Sequence, residues 1–307
     1  MPIEPVEKVW VNGQQVDWDK ATVHVLTHAL HYGTGVFEGL RAYETSRGPA
    51  VFRLRDHLER FERSAKVFLM ELPYSIDELA AAIHDLVRVN GLRACYVRPI
   101  AFRGFGGEMG VNPEKNPVDV SIAVWGWGSY LGKEGLERGI RMTISSWRRH
   151  DPNVIPPSAK ATGAYVNSSM AKLEAVHAGY DEAIMLNPLG FVGEATGENI
   201  FIVKEGMLIT PPLATGILPG ITRDTVMRIA ADNDIPATEH DLTRADLYTA
   251  EEMFCVGTAA EVTPVREVDE RVIGDPGPVT QTIQQSYFAI VKGEDEKYFD
   301  WLDFVRT

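Results

Sequence analysis

Residues 154–169, VIPPSAKATGAYVNSS, contain one charged side chain, Lys160. The chain is 24% charged, so the stretch from Pro152 to Ala171 should hold about five charges by ordinary composition arithmetic. It holds one. A lysine isolated among proline, alanine, serine and glycine has two readings. Local sequence favours the ordinary one, a loop lysine with a buried stem and its ammonium group at the surface. The sharper one is an active-site lysine, which requires partners elsewhere in the chain.

At 307 residues the chain exceeds the commonest size of a single core, so two domains are expected. A hydrophobic content of 45% is ample for packed cores. The formal charge of −13 repels nucleic-acid phosphates and anionic lipid, so neither is an expected partner. The opening MPIEPVEKVWVNG alternates charged and apolar residues and lacks the apolar run of a signal peptide. No run of eighteen apolar residues follows, so no membrane span is expected. The two cysteines, Cys95 and Cys255, lie in apolar strand-like runs and read as buried thiols in a reducing cytoplasm.

The chain reads as two halves. EKVWVNGQQVDW forms a hairpin at Asn12-Gly13. LRDHLERFERSAKVFLM repeats Leu54, Leu58, Phe61, Ala65 and Phe68 at helical spacing. A second helix starts at the Ser75/Glu78 capping box and ends at Gly91. Strands return in ACYVRPIAF and DVSIAVWGW. Glycine-rich WGWGSYLGKEG then breaks both periodicities, so residues 127–136 read as an interdomain loop between a small domain, 1–126, and a larger one, 137–307. The second half mixes strands with a helix near 164–178, another after LPG, and a last one from about Pro278. Without a regular βαβ repeat, two α+β domains are expected rather than a doubly wound sheet.

A free lysine is a poor nucleophile, because neutralising it at pH 7 costs about 4.6 kcal/mol. Storing it as an imine with an aldehyde cofactor avoids that cost, and the obvious aldehyde is pyridoxal phosphate. The cofactor then needs an anion site, a carboxylate for its ring nitrogen and a donor for its phenolic oxygen. LPGITRD supplies a glycine and a helix start, with Gly220, Ile221 and Thr222 as N–H donors, although an ordinary Thr222 N-cap is favoured slightly. Thr258 lies in a second hydroxyl-bearing loop. Arg60 can neutralise a phosphate or pair routinely with Asp56. In FVGEATGENIF, Glu194 and Glu198 sit among small residues, where period two places both on one strand face and does not choose between them. Their ordinary reading is a solvated strand edge. Tyr165 can reach the phenolic oxygen or simply pack.

Taken in order, HALHYGTGVFEGLRAY, YVRPIAFRG, MGVNP, AKATGAYVNS, GEATGENIF, LPGITRD and GTAAEVTPV resemble the branched-chain amino acid aminotransferases, pyridoxal-phosphate enzymes of fold type IV. The likeness runs along nearly the whole chain. It implies that Lys160 carries the cofactor and later moves the proton, and that Glu194 is the ring-nitrogen partner. It also implies that Tyr165 contacts the phenolic oxygen and that Arg60, Ile221, Thr222 and Thr258 hold the phosphate.

On the substrate side, alternation puts Tyr96, Arg98 and Ile100 on one strand face, and Pro99 marks that strand as an edge. The resemblance implies that Tyr96 and the Thr258-Ala259 backbone hold the α-carboxylate and that Arg98 receives glutamate's side-chain carboxylate. Phe37, Gly39, Trp127, Tyr130, Tyr32, Met109 and Val111 match residues of the substrate pocket. The residues matching Tyr32 and Met109 to Val111 come from the neighbouring subunit in relatives, which implies a homodimer, with higher assembly left open. The implied reaction is ping-pong transfer from a branched-chain amino acid to 2-oxoglutarate. Within the fold type the rivals are a D-amino acid aminotransferase, an amine transaminase and aminodeoxychorismate lyase.

Two other classes fit less well. His24, His28 and His31 stand at helical spacing, but no acidic or cysteine ligand is spaced to complete a metal site, so none is expected. GFGGEMG fails as a nicotinamide fingerprint because Met109 occupies its third glycine position.

Overall fold

A computed structural model describes residues 3–128 and 131–305. They divide into two compact units. Of the described residues, the first contains 3–128, 159–163 and 290–305; the second contains 131–158 and 164–289. This division is not the linear one expected from sequence. The lysine segment and the C-terminal segment return to the first unit, and backbone pairing explains both returns.

The first unit is built on strands β1 (Lys8–Val11), β2 (Gln14–Asp17), β3 (Gly35–Phe37), β4 (Leu40–Thr45), β5 (Gly48–Phe52), β6 (Cys95–Arg103) and β7 (Val118–Trp125), with β17 (Leu302–Phe304). They form one sheet in the order β17-β5-β4-β6-β7-β1-β2, with β3 also paired to β6. The Asn12-Gly13 hairpin is present, and both turn residues have positive φ, 44° and 85°. Helix α1 spans His28–Tyr32, α2 Leu54–Val67 and α3 Ile76–Val89. The Ser75/Glu78 capping box opens α3 as expected. Leu54, Leu58, Phe61 and Ala65 on α2 and Leu79, Ile83 and Leu86 on α3 bury their apolar stripes against Leu40, Val97 and Val124 of the sheet.

Two expectations about this unit are corrected. Pro99 lies in a central strand, because β6 pairs with β7 along its whole length and with β4 and β3 on its other side. Proline is tolerated there because its missing N–H falls at the break between β3 and β4, where its carbonyl accepts the Glu38 N–H at 2.9 Å. The chain also does not end in the helix that begins at Pro278. After it, β17 pairs antiparallel with β5, so Leu302–Phe304 joins this sheet.

The second unit contains α4 (Gly132–Arg138), β8 (Ile140–Ile144), α5 (Tyr165–His177), β9 (Glu182–Leu186), β10 (Val192–Ala195), β11 (Asn199–Lys204), β12 (Met207–Thr210), α6 (Ile221–Asp232), β13 (Ala237–Glu239), α7 (Arg244–Tyr248), β14 (Glu252–Gly257), β15 (Glu261–Val268), β16 (Arg271–Val272) and α8 (Pro278–Val291). Its sheet runs β10-β9-β8-β15-β14-β11-β12-β13, with β16 on β15. The pairs β8–β9, β8–β15 and β12–β13 are parallel and the others antiparallel, so the sheet is mixed. Ile140, Met142, Ile184, Val192, Ile200 and Cys255 pack in its core. Part of the expected 127–136 loop is helical, since α4 starts at Gly132. Two i,i+4 ion pairs, Lys133–Glu137 and Glu134–Arg138, lie along it, and buried Gly135 sits against Ile140. No helix among the described residues is long and apolar enough to cross a membrane.

Candidate active site

In the first unit the chain at Lys160 is pinned on both sides. Its N–H donates to Ser64 Oγ at 3.1 Å, and its carbonyl accepts the Phe37 N–H at 3.0 Å. Next to it, Val36 and Ala161 form an isolated antiparallel bridge. At Gly33 a Cβ would come within 2.8 Å of Gly163 Cα, so the bare glycine allows the two backbones to approach. The Lys160 ammonium lies 5.0 Å from the centre of the Phe37 ring, over which the Arg98 guanidinium also sits at 4.7 Å. A lysine head group held against an aromatic wall is not the surface-reaching side chain of the ordinary reading.

Gly39, Tyr96, Arg98 and Trp127 gather on the same unit. A Cβ on Gly39 would fall 1.9 Å from the Tyr96 hydroxyl, so glycine makes the space that this hydroxyl occupies. Arg98 donates to that hydroxyl at 3.3 Å, and Trp127 packs edge-on against the Tyr96 ring at 4.2 Å. Arg98 Nε is buried without a hydrogen-bond partner among the described residues. A buried orphan donor of this kind is costly unless a ligand completes it.

Arg60 forks onto Glu38, with Nε to Oε1 at 2.6 Å and the second nitrogen to Oε2 at 2.9 Å. Arg53 takes Asp56 at 2.9 Å, so the routine surface pairing expected for Arg60 gives way to a buried one. His57 Nδ1 donates to the same carboxylate at 2.7 Å. Burial alone would raise the Glu38 pKa, but Arg60 and then His57 hold it well below the usual carboxylate range. Burial pushes the His57 ring below its ordinary value against the pull of Glu38, with Arg60 and Lys160 adding repulsion.

In the second unit Glu194 is buried, not at a solvated strand edge. Arg149 pairs with its Oε1 at 2.6 Å, while the Asn199 amide and the Leu218 N–H donate to its Oε2 at 3.1 and 3.0 Å. Glu198 does not share a strand face with it. The chain turns at Thr196-Gly197, where the Ala195 N–H donates to the Glu198 carbonyl at 2.8 Å, so period two does not run through both residues. Burial first, and then the neighbouring Glu182 carboxylate, push Glu198 up to about 8. Glu182 is itself taken by Lys172 at 2.6 Å and Thr196 at 2.7 Å. A group of this kind is neutral at pH 7 and unsuited to holding a cation, whereas the donors around Glu194 suit an anion.

Helix α6 is capped by Gly220 rather than Thr222, which lies inside its first turn. No side chain caps this end, and a Cβ on Gly220 would fall 1.9 Å from Asn199 Oδ1. The Ile221 and Thr222 backbone thus stands at the positive end of a 12-residue helix dipole. Thr258 and Ala259 form the turn between β14 and β15, and Tyr165 opens α5.

The remaining expected residues fall elsewhere or outside the description. Tyr130 is outside the described residues. Tyr32, Met109 and Val111 are exposed at 43%, 43% and 80%. His28 holds this group together: Nε2 lies 2.8 Å from the Gly110 carbonyl, Nδ1 2.7 Å from the Thr34 hydroxyl, and its ring 4.6 Å from that of Tyr32. His24 is not on α1, so the helical spacing of the three histidines does not extend to it. No group of three metal-ligating residues occurs among the described residues.

Sequence reasoning missed Glu38, Arg149 and Asn199. The first had a signal, an acid inside the apolar run GVFEGL. Arg149 stands in WRRHD and Asn199 in GENIF, where composition marks neither.

The first unit thus holds a lysine against an aromatic wall, and the second holds an anion-suited helix start and a carboxylate taken by Arg149, Asn199 and the Leu218 N–H. The model of the amino-transferase class IV family matches residues 35–268, and the chain belongs to that family. It is 48% identical over 309 residues to the branched-chain-amino-acid aminotransferase of Escherichia coli, covering 100% of both chains. A solved branched-chain aminotransferase from the thermophilic archaeon Thermoproteus uzoniensis with norvaline superimposes with a TM-score of 0.94, at 48% identity, covering 98% of this chain and 100% of that one. The branched-chain amino acid aminotransferase of Thermobaculum terrenum in its PLP form gives 0.93, at 35% identity, covering 99% and 100%. The α+β fold is that of class IV aminotransferases, whose cofactor is pyridoxal phosphate. The bare backbone at Gly220 and the cradled carboxylate of Glu194 fit that cofactor's phosphate and ring nitrogen.

Proposed function

We propose that this chain transfers the amino group of L-leucine, L-isoleucine or L-valine to 2-oxoglutarate, giving branched 2-oxo acids and L-glutamate by a reversible ping-pong reaction. The observation that carries the choice of substrates is the Phe37 wall, which faces Lys160 on one hand and an Arg98 guanidinium with a spare donor on the other. An apolar side chain packs on the ring. Glutamate's second carboxylate meets the guanidinium. One slot therefore serves both half-reactions.

Pyridoxal phosphate, when bound, supplies an aldehyde for the amino group and a ring that withdraws electrons from the α-carbon. The residues of the chain do the rest. The Lys160 ε-amine would hold the cofactor and, once displaced by the incoming amino group, would as a free amine take and pass on the proton of the substrate's α-carbon. Glu194 keeps the ring nitrogen protonated, Tyr165 donates to the phenolic oxygen, and Arg60, Ile221, Thr222 and Thr258 hold the phosphate. Tyr96 and the Thr258-Ala259 backbone receive the α-carboxylate, with Gly39 leaving room for the tyrosine hydroxyl. Trp127 completes the apolar wall.

The exposed group of Tyr32, Met109 and Val111 supports a homodimer in which these residues close the partner's substrate pocket, with the enzyme working in a reducing cytoplasm where Cys95 and Cys255 stay as thiols. Sedimentation should give a dimer. A monomer with full activity contradicts this.

With 2-oxoglutarate as acceptor, L-leucine should be consumed and D-alanine left; the reverse preference assigns a D-amino acid enzyme. Arg98→Met should raise the KM for glutamate by about 10- to 100-fold, the range of 1.4 to 3 kcal/mol, and change that for leucine less than threefold. Equal losses for both substrates would remove Arg98 from the specificity role.

A further inference from the structure

Asn199 is buried at the start of β11, and its side chain meets two other segments of the second unit. Its Nδ2 donates to Glu194 Oε2 and to the Leu218 carbonyl, each at 3.1 Å. The Leu218 N–H donates to the same Oε2 at 3.0 Å. These partners also fix the amide orientation, because a flipped amide would set its oxygen against a carboxylate and a carbonyl. Asn199 Oδ1 is thereby turned to Gly220, at the place a Cβ would occupy. The backbone of Asn199 pairs with Val256, two residues before Thr258. Arg223, whose Cβ also crowds that place, is anchored through Thr210 at 3.3 Å and the Pro211 carbonyl at 2.9 Å.

One amide thus joins the carboxylate assigned to the cofactor's ring nitrogen to the loop that opens the helix assigned to its phosphate. We infer that Asn199 is a positioning residue that sets the spacing between Glu194 and the start of α6, so that the two ends of the cofactor are held as one coupled unit. The inference rests on the cofactor roles proposed for Glu194 and Thr222. It adds that neither role is independent of the other, although the two residues lie on different elements. A rigid, shared support is what placing a ring to within a fraction of an ångström requires.

Coupling between the two ends is read by a double-mutant cycle. The measured quantity is the rate at which pyridoxal phosphate leaves the holoenzyme after dilution, followed by its visible absorption. Glu194→Gln and Thr222→Ala, which removes the hydroxyl proposed to reach the phosphate beside the Thr222 N–H, should each speed loss by at least tenfold, and their combination should differ from the product of the single effects by at least fivefold. In an Asn199→Ala background the same two changes should become multiplicative within twofold. Asn199→Ala alone should speed loss about tenfold and lower kcat more than it raises KM. If Asn199→Ala does not fold, Asn199→Ser, which keeps one donor, is used and should retain part of the coupling.

If Glu194→Gln and Thr222→Ala leave cofactor loss unchanged, the underlying assignment of the site fails. If each speeds loss but their effects are multiplicative in the native background, or remain coupled without Asn199, the assignment stands and the positioning role is overturned. A purely structural asparagine would lower Tm and leave the coupling intact.

Discussion

Glu38 in the first unit and Glu198 in the second are both buried glutamates, yet their surroundings drive them to opposite protonation states. Around Glu38 the nearest groups are a guanidinium and an imidazole, which hold it anionic despite burial. Around Glu198 the strongest neighbour is another carboxylate, and burial is reinforced rather than opposed. Burial therefore decides little by itself. What decides is whether the first charged neighbour has the opposite sign or the same one. The first unit concentrates cationic groups near Lys160 and balances them with one carboxylate. The second gives Glu194 donors from Arg149, Asn199 and Leu218, and sets Glu198 beside the Glu182 carboxylate, which keeps it protonated.

The largest effect should come from breaking the balanced site. Glu38→Ala leaves Arg60 and His57 buried without their anion, which costs about 3–5 kcal/mol. Calorimetry should show a fall in Tm on the order of 10 °C, and activity should fall with it. A change under about 1.5 °C, no more than 1 kcal/mol gives in a chain of this size, would mean that the network is not a structural support. The pH dependence has a definite sign. Because the folded state lowers the Glu38 pKa, its contribution is present above the unfolded value of about 4.5 and is lost as pH falls through the acid range. Glu38→Gln should accordingly flatten the acid limb of the stability profile.

The second site predicts the opposite slope. Glu198 binds its proton more tightly in the folded state, so its contribution is complete below pH 4.5 and is lost as pH rises through about 8. Glu198→Gln keeps a neutral side chain of similar shape. Its Tm should match the native protein at about pH 5 and exceed it by a few degrees at about pH 9. A Tm below the native one already at about pH 7 would show that Glu198 is ionised there and stabilised as the anion, against its raised pKa. The smallest effect expected is that of Thr196→Val, which removes the hydroxyl bonded to Glu182 at 2.7 Å. Denaturant titration should record a loss of about 1 kcal/mol.

Much of this arrangement was legible in the sequence because local physics decided it. The Asn12-Gly13 turn, the Ser75/Glu78 box and the α2 stripe needed no tertiary information. Lys160 stood out because its loop lacks other charges. What was not legible depends on long-range pairing. Pro99 looks like an edge residue until β3 and β4 are seen to part beside it. The return of β17 to the first sheet depends on β5, some 250 positions earlier in the chain. Glu194 and Glu198 could not be separated by spacing because the turn at Thr196-Gly197 resets the alternation. Thr222 passed for an N-cap because Gly220, the actual cap, carries no side-chain signal. Asn199 and Arg149 were silent for the same reason: their importance lies in what they touch.

The proposed function takes the ε-amine of Lys160 as the covalent attachment point of the cofactor. Borohydride reduction of the holoenzyme, followed by digestion and mass analysis, should place a single phosphopyridoxyl group on the peptide containing Lys160, with loss of the visible absorption band. A phosphopyridoxyl group on any other lysine, or none on the chain, would contradict this assignment.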